Sequence, residues 1–193
     1  MKKILSILAF LCAAWMSVQA ERVILGAEQT KQYLPLLKGK RVALLSNHTG
    51  IVIQAKGERL KARGERQEVK GDTIHTLDLL LKNGVNVTAI FSPEHGFRGT
   101  AREGELVASS IDEKTGIPIL SLYDGKSKRP SKEAMATFDI LITDIQDVGL
   151  RFYTYYVTML RLMDVCAQEG KQFMVFDRPN PNGYYVDGPI LDM

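Results

Sequence analysis

Short apolar runs alternate along this chain with stretches of helical periodicity, and this alternation limits the folds that the chain can adopt. Runs with the length and composition of buried strands occupy residues 41–46, 85–91, 118–123, 138–143 and 171–176. Helical patterns occupy residues 73–82, 131–136 and 153–168. Strands that alternate with helices form a mostly parallel sheet with helices on both faces. The sequence therefore predicts an α/β fold.

The predicted helices have recognisable ends and apolar faces. The first has apolar side chains at positions 74, 77, 80 and 81, and His75 is expected to lie inside it as a partly buried structural residue. Ser131 is a candidate N-cap for the second helix. The apolar face of the third helix is expected to consist of Tyr153, Val157, Leu160, Met163 and Ala167.

Polar residues follow four of the five predicted strands. These residues occupy positions 47–49, 92–96, 144–147 and 177–180. Open parallel sheets bind ligands at the carboxyl ends of their strands. We therefore expect a binding site at that edge of the sheet.

The composition argues against several classes of ligand. The 193 residues are 45% apolar and 24% charged, which is ordinary for one globular domain. The net charge of +3 falls to +1 when Lys2 and Lys3 are left out, so no nucleic-acid partner is indicated. The sequence has no glycine-rich dinucleotide motif, no P-loop and no Gly-x-Ser-x-Gly elbow. Neither a nucleotide nor another cofactor is expected.

Residues 1–20 have the pattern of a signal peptide. Lys2 and Lys3 precede an apolar run at 4–16, and residues 17–20 (SVQA) offer the small side chains that signal peptidase accepts. The run of about 13 residues is shorter than the roughly 20 that span a bilayer. Residues 21–193 are therefore predicted to be an exported domain, periplasmic or secreted, without a stable membrane span. Cys166 is its single cysteine and is expected to be buried.

Glu94 lies in a loop that opens with Pro93 and contains Gly96 and Gly99. Proline fixes the carboxyl group in place, whereas glycine lets the backbone come close to a ligand. A carboxyl group at the edge of a sheet, partly shielded from water, can act as a general acid. The alternative is a structural carboxylate that caps a helix or pairs with Arg98.

Two other interpretations use residues of the same edge. His48, His95, Asp144 and Asp147 can reach one crevice, but they lack the spacing of a metal motif, and no metal is expected. The aromatic residues at 152, 153, 155 and 156 belong either to the core or to a platform for a sugar ring.

Four segments resemble the motifs of the exo-β-N-acetylmuramidase (NamZ-type) glycoside hydrolase family. They are residues 92–99 (SPEHGFRG), 144–155 (DIQDVGLRFYTY), 177–183 (DRPNPNG) with Gly188 and Pro189, and 47–50 (NHTG). The resemblance implies a Rossmann-like catalytic domain without a bound nucleotide. It also implies release of terminal N-acetylmuramic acid from the non-reducing end of peptidoglycan fragments.

The resemblance also implies roles for individual residues. Glu94 matches the proposed catalytic glutamate of the family. Its partner, or a group that orients the 2-acetamido substituent, is expected among Asp144, Asp147 and Asp177. The carboxylate of the lactyl ether is expected to bind Arg98, Arg151 or Arg178. The other residues expected to bind the saccharide are Asn47, His48, His95, Gln146, Tyr153 and Asn180.

Members of this family continue into a second, smaller domain, and the catalytic cleft lies between the two. The chain is expected to lack that second domain, because residue 193 closely follows the last matching segment. Two other functions stay open. One is an exported metal-dependent amidase or esterase that uses His48, His95 and the aspartates of this edge, and the other is a non-catalytic protein that binds cell-wall sugars.

Overall fold

The computed structural model describes residues 23–55, 71–97, 109–122, 129–184 and 186–189. The predicted signal peptide and Arg98 lie outside these residues. Within the described ranges, no helix combines the length and the apolar character that crossing a membrane requires.

The described elements alternate in the predicted manner. The strands are β1 (Arg41–Ser46), β2 (Ile51–Ala55), β3 (Gly71–His75), β4 (Asn86–Ser92), β5 (Ser110–Ile111), β6 (Pro118–Ser121), β7 (Ile140–Asp144) and β8 (Gln172–Val175). The helices are α1 (Thr30–Leu37), α2 (Thr76–Lys82), α3 (Lys132–Ala136) and α4 (Thr154–Gln168), and a 3-10 turn covers Gly26–Glu28. Each of the five predicted strands is present, with ends that differ by at most two residues.

Six strands form one sheet in the order β5-β6-β4-β1-β7-β8. All neighbouring strands are parallel except β5, which pairs antiparallel with β6 at one edge. The five parallel strands, numbered along the chain, therefore lie in the order 3-2-1-4-5, as in doubly wound α/β folds. The strand order reverses between β1 and β7, which is where such folds bind ligands. The predicted mostly parallel α/β sheet is confirmed.

Hydrophobic residues cover both faces of the sheet. Val42 and Leu44 of β1 belong to the core shared with α1 and α2, whereas Ala43 and Leu45 belong to the core shared with α3 and α4. Burial of one Leu or Val side chain contributes about 1.5–3 kcal/mol. Because both faces of β1 are buried, its residues 42–45 are continuously apolar.

The segment predicted as one helix over residues 73–82 is a strand followed by a shorter helix. Gly71–His75 form β3, which pairs antiparallel with β2 in a separate two-stranded sheet. The pairing holds these residues extended, so the helix begins only at Thr76. His75 is its N-cap rather than an interior residue, and its Nδ1 accepts a hydrogen bond from the N–H of Leu77 at 3.1 Å. The expectation of a partly buried structural histidine holds.

The buried face of α4 differs from the predicted one. The buried residues are Tyr155, Thr158, Leu162, Val165 and Cys166. In contrast, Leu160 and Met163 are 46% and 41% exposed. Both stripes have helical spacing, so periodicity alone does not separate them. Cys166 is buried as predicted, and burial raises the pKa of its thiol to about 11.

Candidate active site

The loops after β1, β4, β7 and β8 meet at one edge of the sheet, because these strands are parallel and adjacent. The ladder between β1 and β7 ends with Ser46 opposite Asp144, and the ladder between β1 and β4 ends with Leu45 opposite Phe91. The polar residues that follow these strands therefore share one edge, as the sequence predicts.

Glu94 lies on a tight turn after β4. The N–H of Gly96 donates to the carbonyl of Pro93 at 3.1 Å, and His95 has a φ of 70°. A left-handed backbone is uncommon for a residue other than glycine, and such strain is concentrated at functional sites. In this turn, the half-buried Glu94 faces the first residue of α4, where the hydroxyl of Thr154 donates to Oε2 at 2.7 Å.

The hydrogen bond from Thr154 anchors one oxygen of Glu94 at the N-terminus of α4. A helix N-terminus carries partial positive charge and attracts a carboxylate. Among the described residues, no hydrogen bond to the other oxygen, Oε1, is present. Glu94 can therefore present Oε1 to a ligand while Oε2 stays anchored. The same bond also fits the structural alternative, in which this carboxylate caps a helix.

The hydroxyl group of Tyr155 lies among other polar side chains of the site. Burial, together with the neighbouring Tyr153 and Glu94, raises the pKa of Tyr155 to about 12, whereas the amide of Asn47 opposes the rise. The rings of Tyr153 and Tyr155 meet edge to face, with centroids 4.7 Å apart. Tyr155 thus stays a neutral hydroxyl at physiological pH. The aromatic cluster therefore serves the core through Tyr155 and borders the site as well.

Asn47 is fully buried at the end of β1. Its Oδ1 accepts hydrogen bonds from the N–H and the hydroxyl of Thr49, at 2.9 and 2.6 Å. Its carbonyl lies 2.8 Å from Nε2 of His75. Because Nδ1 of His75 accepts from Leu77, Nε2 carries the proton and donates to Asn47. Among the described residues, Nδ2 of Asn47 has no partner within 3.5 Å at good hydrogen-bond angles, and the neighbour on which this amide acts is the Tyr155 hydroxyl.

Asp144 is fully buried, and its carboxylate is paired. Arg178 donates from Nε to Oδ1 at 2.5 Å and from Nη2 to Oδ2 at 3.0 Å. The hydroxyl of Thr76 also donates to Oδ2. Nη2 of Arg178 further donates to the carbonyl of Ile51 at 3.0 Å. These bonds join β7 to the loop after β8, to β2 and to the start of α2, so the pair is suited to position the loops.

Gln146 connects three of the four loops. Its N–H donates to the hydroxyl of Thr49 at 3.1 Å, which joins the loop after β7 to the loop after β1. Its Nε2 donates to the carbonyls of Asp147 and Pro179, at 2.7 and 2.9 Å, and thereby reaches the loop after β8. Both donors of its amide group are thus used inside the protein. A direct role of Gln146 in binding substrate stays a prediction.

A pocket of about 160 Å³ lies beside these loops. Its apolar wall includes Ile145, Met159 and Val175, and its polar wall includes Asp147, Tyr156 and Asp177. Asp147 is half-buried and accepts at Oδ1 from the N–H of Gly149 at 2.7 Å, whereas Asp177 is exposed. The pocket therefore offers two carboxylates next to an apolar surface.

Asn180 and Arg151 lie at a more open pocket that Asp147 also borders. The backbone of Gly149 has a φ of 72°, and the side chain of Asn180 packs where a Cβ on this residue would lie. Arg151 is exposed, and its Nη2 donates to the carbonyl of Pro189 at 2.8 Å.

Two residues that are predicted to bind substrate do not take part in the hydrogen bonds described above. His48 is exposed, and the prediction for Arg98 lies outside the described residues. Within the described part of the chain, no group of three or more His, Cys, Asp or Glu side chains has the arrangement of a metal site.

The sequence did not identify three threonines of the site as functional residues. Thr49, Thr76 and Thr154 donate to the side chains of Asn47, Asp144 and Glu94, respectively. Threonine is common near strand and helix ends, so the sequence offers no distinctive signal for Thr49 and Thr76. For Thr154, the signal was its place at the start of the helix, within the segment that carries the resemblance.

The chain matches the model of the family described as exo-beta-N-acetylmuramidase NamZ, N-terminal, over residues 42–193. The chain belongs to this family. It is 44% identical over 162 residues to the peptidoglycan beta-N-acetylmuramidase NamZ of Bacillus subtilis (strain 168). That match covers 83% of this chain and 34% of the relative. The resemblance carried by the four segments is confirmed.

Two solved structures of DUF1343 family proteins from Bacteroides fragilis NCTC 9343 are similar to this chain. One is 54% identical with a TM-score of 0.66, and the match covers 89% of this chain and 39% of the solved chain. The other is 36% identical with a TM-score of 0.67, and covers 87% of this chain and 38% of its own. The chain thus spans about a third of the length of the Bacillus relative and under two fifths of each solved chain.

Proposed function

We propose that this NamZ-family protein is an exo-acting glycoside hydrolase that releases terminal N-acetylmuramic acid from the non-reducing end of peptidoglycan fragments during cell-wall turnover. The observation that carries the proposal is the half-buried carboxyl group of Glu94, which Thr154 anchors at the ligand-binding edge of the sheet. The 44% identity to a peptidoglycan beta-N-acetylmuramidase supports the substrate class.

In this proposal, Glu94 gives a proton to the departing glycosidic oxygen. Glycoside hydrolysis also needs a second carboxylate, or the acetamido group of the sugar itself, on the other side of the bond. Asp144 already binds Arg178 and Thr76, which suits it to hold the loops. We assign the partner role to Asp147, because it is half-buried and lines the pocket beside the site.

The carboxylate of the lactyl ether needs a cationic partner, and a planar guanidinium suits it best. Arg178 uses Nε and Nη2 on Asp144 and Ile51 and is nearly buried. Arg151 and Arg178 are the two candidate arginines among the described residues. Arg151 lines the open pocket and makes one hydrogen bond there, to Pro189, so more of its donors are available than those of Arg178. Arg151 is therefore the proposed ligand of the lactyl carboxylate.

We propose that the protein acts outside the cytoplasm, in the periplasm or as a secreted protein. The basic start and the short apolar run of residues 1–20 support export by a cleaved signal peptide. N-terminal sequencing of the exported protein is expected to begin at Glu21. Retention of Met1 in the exported form would contradict cleavage.

The proposed function is tested by incubating the protein with a disaccharide that ends in N-acetylmuramic acid and by measuring the free monosaccharide. Release that persists in the presence of a chelator supports the proposal. Release that a chelator abolishes favours the metal-dependent amidase or esterase. Saturable binding without release favours a non-catalytic sugar-binding protein.

A further inference from the structure

We propose that the pocket between β7, β8 and α4 receives the 2-acetamido group of the sugar, with the methyl group against Met159 and the carbonyl oxygen toward the hydroxyl of Thr143. The inference rests on the proposed function, which supplies the identity of the sugar. It starts from two observations: a pocket with both apolar and acidic walls, and a buried hydroxyl in its lining that has no hydrogen-bond partner among the described residues.

Regular secondary structure builds this pocket. Thr143 of β7 lies opposite Val175 of β8 in the parallel ladder, so both side chains project from the same face of the sheet. Leu141, two residues earlier in β7, packs in the core shared with α4, so this is the face that α4 covers. Tyr155 and Met159, one turn apart on α4, line the pocket from the helix side.

The hydroxyl of Thr143 is the polar group of this pocket that has no partner among the described residues. Thr143 is 4% exposed. Its carbonyl accepts from the N–H of Phe176 at 2.9 Å, so the backbone of the strand is already paired. Buried hydroxyls nearly always have a partner, because an unmade hydrogen bond costs free energy. A ligand oxygen in the pocket would supply the partner and recover that cost.

The walls of the pocket select a neutral group that carries a methyl. Met159 and Val175 offer apolar surface, whereas Asp147 and Asp177 repel an anion. Arg178 also lines the pocket, but its guanidinium is paired inside the protein. The lactyl group is charged and the sugar hydroxyls have no methyl group, so the acetamido group is the substituent that suits both walls.

The neighbouring pocket agrees with this assignment. It contains Arg151, the proposed ligand of the lactyl carboxylate, and the two pockets share Asp147, Tyr156 and Arg178. In N-acetylmuramic acid the acetamido group is on C2 and the lactyl ether is on C3. Substituents on adjacent ring carbons fit adjacent pockets.

The proposed acid lies at the same end of α4. Thr154, the first residue of α4, donates to Glu94, and Tyr155 and Tyr156, the next two residues, line the pocket. An acetamido group held in this pocket would therefore keep the sugar at the end of the helix where Glu94 is anchored.

The test compares two sugars that differ only at C2: N-acetylmuramic acid, and 3-O-lactylglucose with a hydroxyl in place of the acetamido group. Calorimetric titration gives both dissociation constants without requiring turnover. We expect the wild-type protein to bind the acetamido sugar at least about 10-fold more tightly. Val175→Phe fills the pocket from an exposed strand position, so it should abolish this preference and leave the binding of 3-O-lactylglucose unchanged. Leu160→Phe, at an exposed position of α4 outside the pocket, should keep the preference.

Thr143→Val separates a hydroxyl that binds a ligand from a structural one. Valine has the same shape, so its protein should unfold in urea at the wild-type midpoint or above it, while the preference for the acetamido sugar falls about 5-fold. Thr143→Ser keeps the hydroxyl and should keep the preference. The matched control is Thr88→Val, which removes a hydroxyl that donates to the carbonyls of Val42 and Thr137, at 3.3 and 2.9 Å. Thr88→Val should unfold earlier and keep the preference.

Each result supports the inference or overturns it. An undiminished preference in Val175→Phe, or a Thr143→Val protein that unfolds earlier than the wild type, would overturn it. If Val175→Phe does not fold, Met159→Phe fills the pocket from the helix side. Equal affinity of the wild type for the two sugars would overturn the inference and leave the proposed function intact, provided that the disaccharide is hydrolysed. A preference for the acetamido sugar without hydrolysis would overturn the proposed function alone.

Discussion

At the scale of single residues, the site depends on threonine hydroxyls that bind carboxylates from other elements. Thr154 of α4 holds Glu94 of the loop after β4, and Thr76 of α2 holds Asp144 of β7. Each bond joins two parts of the chain that are distant in sequence. The carboxylates are thus positioned by tertiary structure, although their identities are visible in the sequence.

Glu94→Gln is expected to abolish most turnover while preserving the fold. Glutamine keeps the size of the side chain and an oxygen that accepts from Thr154, but it cannot deliver a proton. General acid catalysis contributes about 10²–10⁴-fold, so kcat on a natural disaccharide should fall by that factor. An aryl glycoside with an activated leaving group needs less protonation, and its hydrolysis should fall less. Both rates are measured by release of the monosaccharide.

The matched control for this variant is Glu169→Gln, which changes an exposed glutamate at the C-cap of α4. It should hydrolyse both substrates at the wild-type rate. If Glu94→Gln hydrolyses the natural disaccharide almost normally, Glu94 is a helix-capping carboxylate, and the acid is to be sought at Asp147 or Asp177.

Arg178→Met is expected to destabilise the protein strongly. The substitution leaves the carboxylate of Asp144 buried without its cation, and breaking a buried pair in this way costs about 3–5 kcal/mol. Urea unfolding measures the loss. Addition of Asp144→Asn should restore part of it, because the uncompensated charge is then removed.

The comparison for Arg178→Met is Arg129→Met, which breaks the exposed pair of Arg129 with Asp164. Surface pairs contribute about 0–1 kcal/mol, so this variant should unfold at almost the same urea concentration as the wild type. If Arg178→Met and Arg129→Met lose the same free energy of unfolding, the buried pair of Arg178 and Asp144 does not hold the loops together.

At the scale of secondary-structure elements, the sequence predicts the strands and helices that a local pattern determines. It misses the features that depend on contact with a segment distant in the chain. The strands around β1 were predictable because both of their faces are apolar. The strand β3 was not, because its extended form depends on pairing with β2. The buried face of α4 was predicted wrongly, since two stripes of this helix are apolar and only the sheet selects between them.

The same distinction holds for the candidate site. Parallel strands bring their carboxyl ends together, so the gathering of Asn47, Glu94 and Asp144 at one edge was predictable. The pairing of Asp144 with Arg178 was not predictable, because the sequence spacing of a residue at the end of β7 and a residue after β8 does not distinguish an ion pair from two separate ligands.

The connection between β1 and the residues that precede β7 predicts a dependence of stability on pH. Arg41 at the start of β1 donates to Asp139 from its backbone N–H and its guanidinium, and these bonds lower the pKa of Asp139 to about 2. The unfolded chain, with an ordinary pKa of about 3.9, takes up the proton first as pH falls. The stabilisation is therefore complete above about pH 4 and is lost as the pH approaches 2.

Thermal unfolding of the wild type and of Asp139→Asn between pH 6 and pH 2 measures this effect. The difference between their midpoints should be constant near neutral pH and should shrink below pH 4. Arg41→Met should remove the same pH dependence, since it takes away the partner that lowers the pKa. A difference that persists undiminished to pH 2 would contradict the assignment to Asp139.

At the scale of the whole molecule, the site lies at an edge with large apolar side chains exposed. Phe152, Tyr184 and Val186 are 81%, 85% and 100% exposed, and Phe152 follows Arg151 directly in the sequence. Exposed apolar side chains that adjoin in one patch are typical of a surface that contacts other groups. The relatives contain about one and a half to two times as much additional chain as they share with this one.

We therefore expect residues 21–193 alone to fold but to hydrolyse the disaccharide at least about 10-fold more slowly than the protein extended to the length of its relatives. An uncovered edge leaves the site wet and the sugar poorly oriented, and orientation can account for several kcal/mol of the barrier. Circular dichroism checks folding, and monosaccharide release gives kcat/KM for both lengths.

Phe152→Ser should slow the longer protein and leave the shorter one unchanged, because only the longer one has chain to cover this residue. Equal rates for the two lengths would show that residues 21–193 contain the complete site.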